Sequence, residues 1–139
     1  LERAAIATPH IAGYSLDGKL RGTEGIYHAA CRYFGVSPRV NLQVCLPEPA
    51  GATYHPAPAG TDEQILREAV LRVYDPRADD ARLRRLLSLP SARRGALFDE
   101  LRKNYPPRRE FQSLEVHLPA GRGALGHRLR SLGFRVRQQ

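Results

Sequence analysis

Apolar residues recur along this chain with two different periods, and the switches between them mark out its elements. From about Ser15 to Phe34, the residues Ile26, Ala29, Ala30, Tyr33 and Phe34 return every three or four positions and Gly35 ends the run, which predicts a helix with that stripe packed inward. Gly18, Gly22 and Gly25 inside it each cost roughly 1 kcal/mol relative to alanine, so the helix is expected either to start late or to lie close to another backbone. Val40-Asn41-Leu42-Gln43-Val44 then alternates apolar with polar, which predicts a strand over 40–46 ended by Pro47 and Pro49. The stretch from Glu48 to Gly60, rich in Pro, Ala and Gly, leaves room for a short edge strand around Thr53-Tyr54-His55, with His55 exposed in a loop.

Thr61-Asp62-Glu63-Gln64 is a capping box, and Ile65, Leu66, Ala69, Val70 and Val73 form the apolar stripe of the helix it starts. That helix stops at Asp75-Pro76. Asp79 or Asp80 is expected to cap a second helix running through Leu83, Leu86 and Leu87 to Pro90. A third helix, about 94–105, turns Leu97, Phe98 and Leu101 inward and is closed by Pro106-Pro107. Phe111 to Leu118 reads as a strand, 124–132 as a short helix, and Phe134-Arg135-Val136-Arg137 as a last alternating strand. Ala4-Ala5-Ile6-Ala7 at the other end also reads as a strand. The pattern defines an α+β chain, with a break at Val36–Arg39 marking a boundary near residue 37. Residues 38–139 are expected to form a small antiparallel or mixed sheet covered by helices on one face.

Composition narrows the function. The 139 residues carry a formal net charge of +8, which points to an anionic partner such as a phosphorylated substrate, a nucleic acid or a membrane surface. Almost all of the excess is arginine, with lysine only at Lys19 and Lys103, and it is scattered over several segments, as a solvated surface would be. Cys31 and Cys45 have neither metal-ligand nor disulfide-framework spacing, so no metal site is signalled and a reducing cytoplasm is expected. No apolar run approaches the ~18 residues that cross a bilayer, so no membrane partner is expected.

Chemistry concentrates in Thr8-Pro9-His10-Ile11-Ala12-Gly13-Tyr14-Ser15. Pro9 fixes its own φ and pushes Thr8 into an extended conformation, so the Ala4–Ala7 strand would deliver His10 at its end, where α/β enzymes keep their chemistry. Histidine exchanges a proton near neutral pH, with an unperturbed pKa of ~6.5. Gly13 allows a ligand close to the backbone, and Tyr14 offers a hydroxyl on a rigid arm. Two readings of His10 follow: a general acid/base at the mouth of a cleft, or a satisfied turn histidine.

The octapeptide resembles the segment that closes the nucleotide-binding domain of the NAD-dependent D-2-hydroxyacid dehydrogenases. The resemblance implies His10 as the proton donor or acceptor at the substrate C2 oxygen, Gly13 as a cofactor contact and Tyr14 as a substrate contact. It also makes residues 1–37 the last strand and return helix of a Rossmann-type NAD domain. Tyr74-Asp75-Pro76-Arg77-Ala78-Asp79-Asp80, Leu101-Arg102-Lys103-Asn104-Tyr105 and Arg108-Arg109-Glu110 resemble the terminal domain of one branch of that family, which acts on a phosphorylated 2-hydroxy acid. In that branch the domain joins two subunits, so residues 38–139 are expected to form a homodimer. The family's arginine and glutamate partners of the histidine would lie upstream of residue 1, so the chain is expected to be the C-terminal piece of a longer enzyme and inactive by itself. Gly121-Arg122-Gly123-Ala124-Leu125-Gly126 spells a dinucleotide fingerprint, but no acidic residue follows ~20 positions on, so it is expected to serve packing. The cluster Arg102, Lys103, Arg108 and Arg109 is the best case for a nucleic-acid surface, and Pro106-Pro107 interrupts it; no nucleic-acid partner is expected. A non-catalytic assembly module is the alternative to the enzymatic reading.

Overall fold

The computed structural model describes residues 1–49 and 51–138, with Gln43 given by its backbone alone. Thr53–Tyr54 (β1), Glu115–Leu118 (β2) and Arg135–Gln138 (β3) form one sheet in the order β1-β2-β3, and both pairings are parallel. The expected antiparallel or mixed sheet is thus corrected. The reason lies in the connections: Gly123–Ser131 (α5) carries the chain from the end of β2 back to the start of β3, and a parallel pair needs such a crossover.

The register aligns Tyr54, Val116 and Val136 on one face and Thr53, Glu115 and Arg135 on the other. The first face is the core. Asp62–Val73 (α2) lays Ile65 and Ala69, and α5 lays Leu125 and Leu129, against Tyr54, Val116 and Leu118. Phe134 packs beside them with the Phe111 ring stacked on it at 4.6 Å. The opposite face keeps polar groups: His117 Nε2 lies 2.7 Å from Glu115, and the His55 ring, exposed as expected, lies 4.5 Å from that of His117. The Thr61 capping box forms as the sequence implies, with both reciprocal bonds present. Phe111–Ser113 is a 3-10 turn, so β2 begins later than the pattern suggested.

Pro76–Arg84 (α3) and Ser91–Lys103 (α4) are joined by a 3-10 turn, Arg85–Ser88, with Leu83 and Leu86 buried. The cap of α3 is Asp75, which accepts from the Arg77 amide at 3.0 Å and leaves Pro76 at the first position, where a missing N–H is harmless. This replaces the expected cap at Asp79 or Asp80 and frees both carboxylates for other partners.

Leu16–Tyr33 (α1) spans the predicted range, but its stripe does not pack inward. Ile26, Tyr33 and Phe34 are 74%, 84% and 72% exposed, and the helix buries only Asp17 and Cys31. The period was helical, yet no described element lies opposite that face. Residues 40–46 are not a strand either. Leu42–Cys45 is a 3-10 turn, Val40 and Val44 are exposed, and the Arg39 and Val40 amides donate to the Tyr27 hydroxyl at 2.7 and 3.2 Å. Ala4–Ala7 forms no strand. Two side chains of α3 stand where a neighbouring strand would: Asp80 accepts from the Ala7 amide at 2.8 Å, and Arg84 donates to the Ala4 carbonyl at 2.6 Å.

Candidate functional site

The segment from Thr8 to Ser15 is a succession of turns rather than the end of a strand. Pro9 and Ile11 are buried, and His10 between them faces outward, with φ at +58 and its amide donating to the Thr8 carbonyl at 2.8 Å. Among the described residues it is the one non-glycine with positive φ. Histidine tolerates that region better than most residues, but the conformation still costs about 1 kcal/mol and persists only where neighbours impose it. Here two buried neighbours do so. The Tyr14 amide donates to the Ile11 carbonyl at 3.0 Å, and Ser15 caps α1 by accepting from the Gly18 amide at 3.0 Å.

Gly13 is exposed, and a Cβ built there would meet nothing within 4 Å, so the chain's own packing places no demand for glycine at that position. The half-buried Tyr14 ring meets that of Tyr105 edge-on, with centroids 5.7 Å apart. Lys19 Nζ lies 4.4 Å from the Tyr14 ring centroid and the Arg102 guanidinium 5.7 Å away, so two cations flank the one aromatic. Arg102 Nε is buried without a hydrogen-bond partner among the described residues.

Several residues that sequence reasoning did not assign to the site hold this segment in place. Arg108 Nη2 donates to the carbonyls of Ile11 and Ala12, each at 3.3 Å, while its guanidinium lies over the Tyr74 ring at 4.4 Å. Asp79, 1% exposed, accepts from the Tyr74 and Tyr105 hydroxyls at 2.9 and 2.8 Å and pairs with Arg82. These groups line a cleft of about 350 Å³. Burial and the bond to Asp79 push the hydroxyls of Tyr74 and Tyr105 above the ordinary tyrosine range, so both remain donors at neutral pH.

A second buried carboxylate anchors α1. Asp17 accepts from Arg109 Nε at 3.0 Å, from the Glu110 amide at 3.0 Å and from Gln112 at 3.1 Å. Burial pushes this carboxyl up, but the Arg109 guanidinium and the Glu110 amide outweigh it and hold it below its ordinary value. Glu110 in turn accepts from Ser15 at 2.6 Å and pairs with Arg21. Arg108 and Arg109, half of the basic cluster, therefore direct their donors inward. No sequence signal separates them from the remaining arginines, because the Ile11 carbonyl and the Asp17 carboxylate that they reach lie more than 90 residues away.

The Gly121–Gly126 motif forms the turn after β2 and the first residues of α5. Gly121 turns the chain at φ +82, and a Cβ at Gly126 would come 3.5 Å from Leu118 and 2.9 Å from Gln138. Arg122 braces the same turn through Asp62 and the Gly60 carbonyl. Among the described residues, no group of three or more His, Cys, Asp or Glu is placed to hold a metal ion, and no helix is long and apolar enough to cross a membrane.

Residues 46–133 match the model of a family described as a domain of unknown function (DUF3410), and the chain belongs to that family. The chain is also similar to the erythronate-4-phosphate dehydrogenases. It is 42% identical to that of Marinobacter nauticus over 99% of this chain and 36% of the relative. It is 50% identical to that of Pseudomonas paraeruginosa over 96% of this chain and 35% of the relative. It is 52% identical to that of Pseudomonas aeruginosa strain UCBPP-PA14 over 94% of this chain and 34% of the relative. The chain thus spans about a third of the length of these relatives.

Proposed function

We propose that this chain is the C-terminal part of an NAD-dependent dehydrogenase that oxidises 4-phospho-D-erythronate to 3-hydroxy-2-oxo-4-phosphooxybutanoate, a step in pyridoxal 5′-phosphate synthesis in the cytoplasm. Residues 1–37 close the catalytic domain, and residues 38–139 form the domain that joins two subunits. The observation that carries the reading is the outward His10, held at positive φ between two buried neighbours and followed within four residues by an open glycine and a tyrosine flanked by cations. The similarity to dehydrogenases along nearly the whole chain supplies the reaction class.

In this reading His10 accepts the C2 hydroxyl proton as the C2–H bond breaks, and returns it in the reverse direction. The nicotinamide, when bound, supplies the acceptor for the hydride. Gly13 fits a cofactor contact because its open face admits a flat group against the backbone. Tyr14 contacts the substrate, and the charges of Lys19 and Arg102 favour an anion beside its ring.

The test uses the full-length protein. It should form NADH from 4-phosphoerythronate, and His10→Ala should lower turnover by about 10²–10⁴-fold, the range removed with a general acid/base. Wild-type turnover in that variant overturns the reading of His10. Sizing with light scattering should return a dimer for the chain; a monomer at all concentrations counts against the joining role of residues 38–139. An assembly module without chemistry predicts the dimer and indifference to His10.

A further inference from the structure

We propose that Asp79 is a positioning residue for the site built on His10 and Tyr14, acting through two aromatic arms, one reaching the Tyr14 ring and the other the Ile11 and Ala12 carbonyls by way of Arg108. The proposal rests on the reading of His10 as acid/base and adds residues which that reading does not contain.

A carboxylate this deeply buried destabilises the fold unless its oxygens are filled. Asp79 fills them with Arg82 and two tyrosine hydroxyls, so one carboxylate fixes two rings that come from different elements. Tyr105, past the end of α4, presents its ring edge to the Tyr14 ring at an interplanar angle of 87°. Tyr74, before α3, carries on its face the Arg108 guanidinium that grips the Ile11 and Ala12 carbonyls, the two immediately after His10. A planar, forked donor stacked on a ring has little freedom, so those carbonyls are set by where Asp79 holds Tyr74.

The segment needs such external support. Two backbone bonds of its own, from His10 to Thr8 and from Tyr14 to Ile11, leave the His10 conformation to be imposed from outside. Pro9 lies with Asp79 and Tyr105 around a further cleft of about 200 Å³, so the proline before His10 borders the same network. Displacing a catalytic group by 1 Å can cost a factor of about 10², so the arms matter for rate and binding as well as for stability.

The two arms make separable predictions in the full-length protein. Tyr105→Phe keeps the ring and removes its bond to Asp79, and should raise KM for 4-phosphoerythronate by about tenfold while kcat stays within twofold, because the Tyr14 ring loses its fixed edge partner. Arg108→Lys keeps the charge but loses the stacked fork, and should lower kcat by about tenfold with KM little altered. Asp79→Asn should show both effects; should that protein not fold, the two milder variants decide. Kinetics equal to wild type in Tyr105→Phe and Arg108→Lys, with only a lower melting temperature, overturn the proposal. His10→Ala in parallel separates the two ideas. An inactive His10→Ala beside unaltered arm variants removes the positioning role alone, whereas an active His10→Ala removes the catalytic reading and with it the site the arms serve.

Discussion

Asp17 and Glu110 show how two side chains join α1 to the chain around β2. Both carboxyls titrate below their ordinary values. In each case burial pushes upward and is outweighed, for Asp17 first by Arg109 and for Glu110 first by Ser15. A carboxyl with a lowered folded pKa contributes stability that is present above the unfolded value of ~4 and is lost as pH falls through the folded value. Stability of the chain should therefore decline steeply from about pH 4 downward, as read by denaturant midpoints across pH. Asp17→Asn keeps the shape but leaves the Arg109 guanidinium without its counter-charge. That variant should lose about 2–3 kcal/mol at pH 7, visible as a melting temperature lower by roughly 5–10 °C, and its acid limb should be shallower than wild type.

At the scale of elements, the three glycines of α1 sort themselves by what a Cβ would meet. At Gly22 and Gly25 nothing lies within 4 Å, so alanine there should stabilise by about 0.5–1 kcal/mol through helix propensity. At Gly18 the new carbon would sit 2.7 Å from Ser15 Oγ and 3.2 Å from Glu110, on the cap that ties α1 to the rest of the chain. Gly18→Ala should destabilise by about 1 kcal/mol despite the better propensity, and thermal melts of the three variants read the difference in sign. The same contrast explains what could be read in advance. The capping box at Thr61 and the α2 stripe depend on neighbours within a few residues, and each stands where the pattern put it. The parallel pairing of β1 with β2 depends on a crossover of some sixty residues, and residues 4–7 and 40–46 needed a partner strand that the described chain does not offer. The octapeptide around His10 stood out in the sequence as a candidate for chemistry. Its supports, Arg108 and Asp79, did not, because an arginine and an aspartate among many carry no mark of a contact made across the fold.

Over the whole molecule, apolar surface is divided unevenly. One face of the sheet is closed by α2 and α5, while Ile26, Tyr33 and Phe34 line the outside of α1, with Val36, Val40 and Val44 exposed further along the chain. Scattered apolar residues on a surface are ordinary, but a row of this kind on one helix governs colloidal behaviour. The formal charge of +8 holds copies apart in dilute buffer, and at 0.1 M salt that repulsion reaches only about 10 Å. Turbidity of the concentrated chain should consequently appear at lower protein concentration as sodium chloride is raised. Ile26→Lys combined with Phe34→Ser should move the onset upward while leaving the melting temperature within about 2 °C, since neither side chain is packed in the fold. For anyone handling this chain, the greasy flank of its first helix sets the storage conditions.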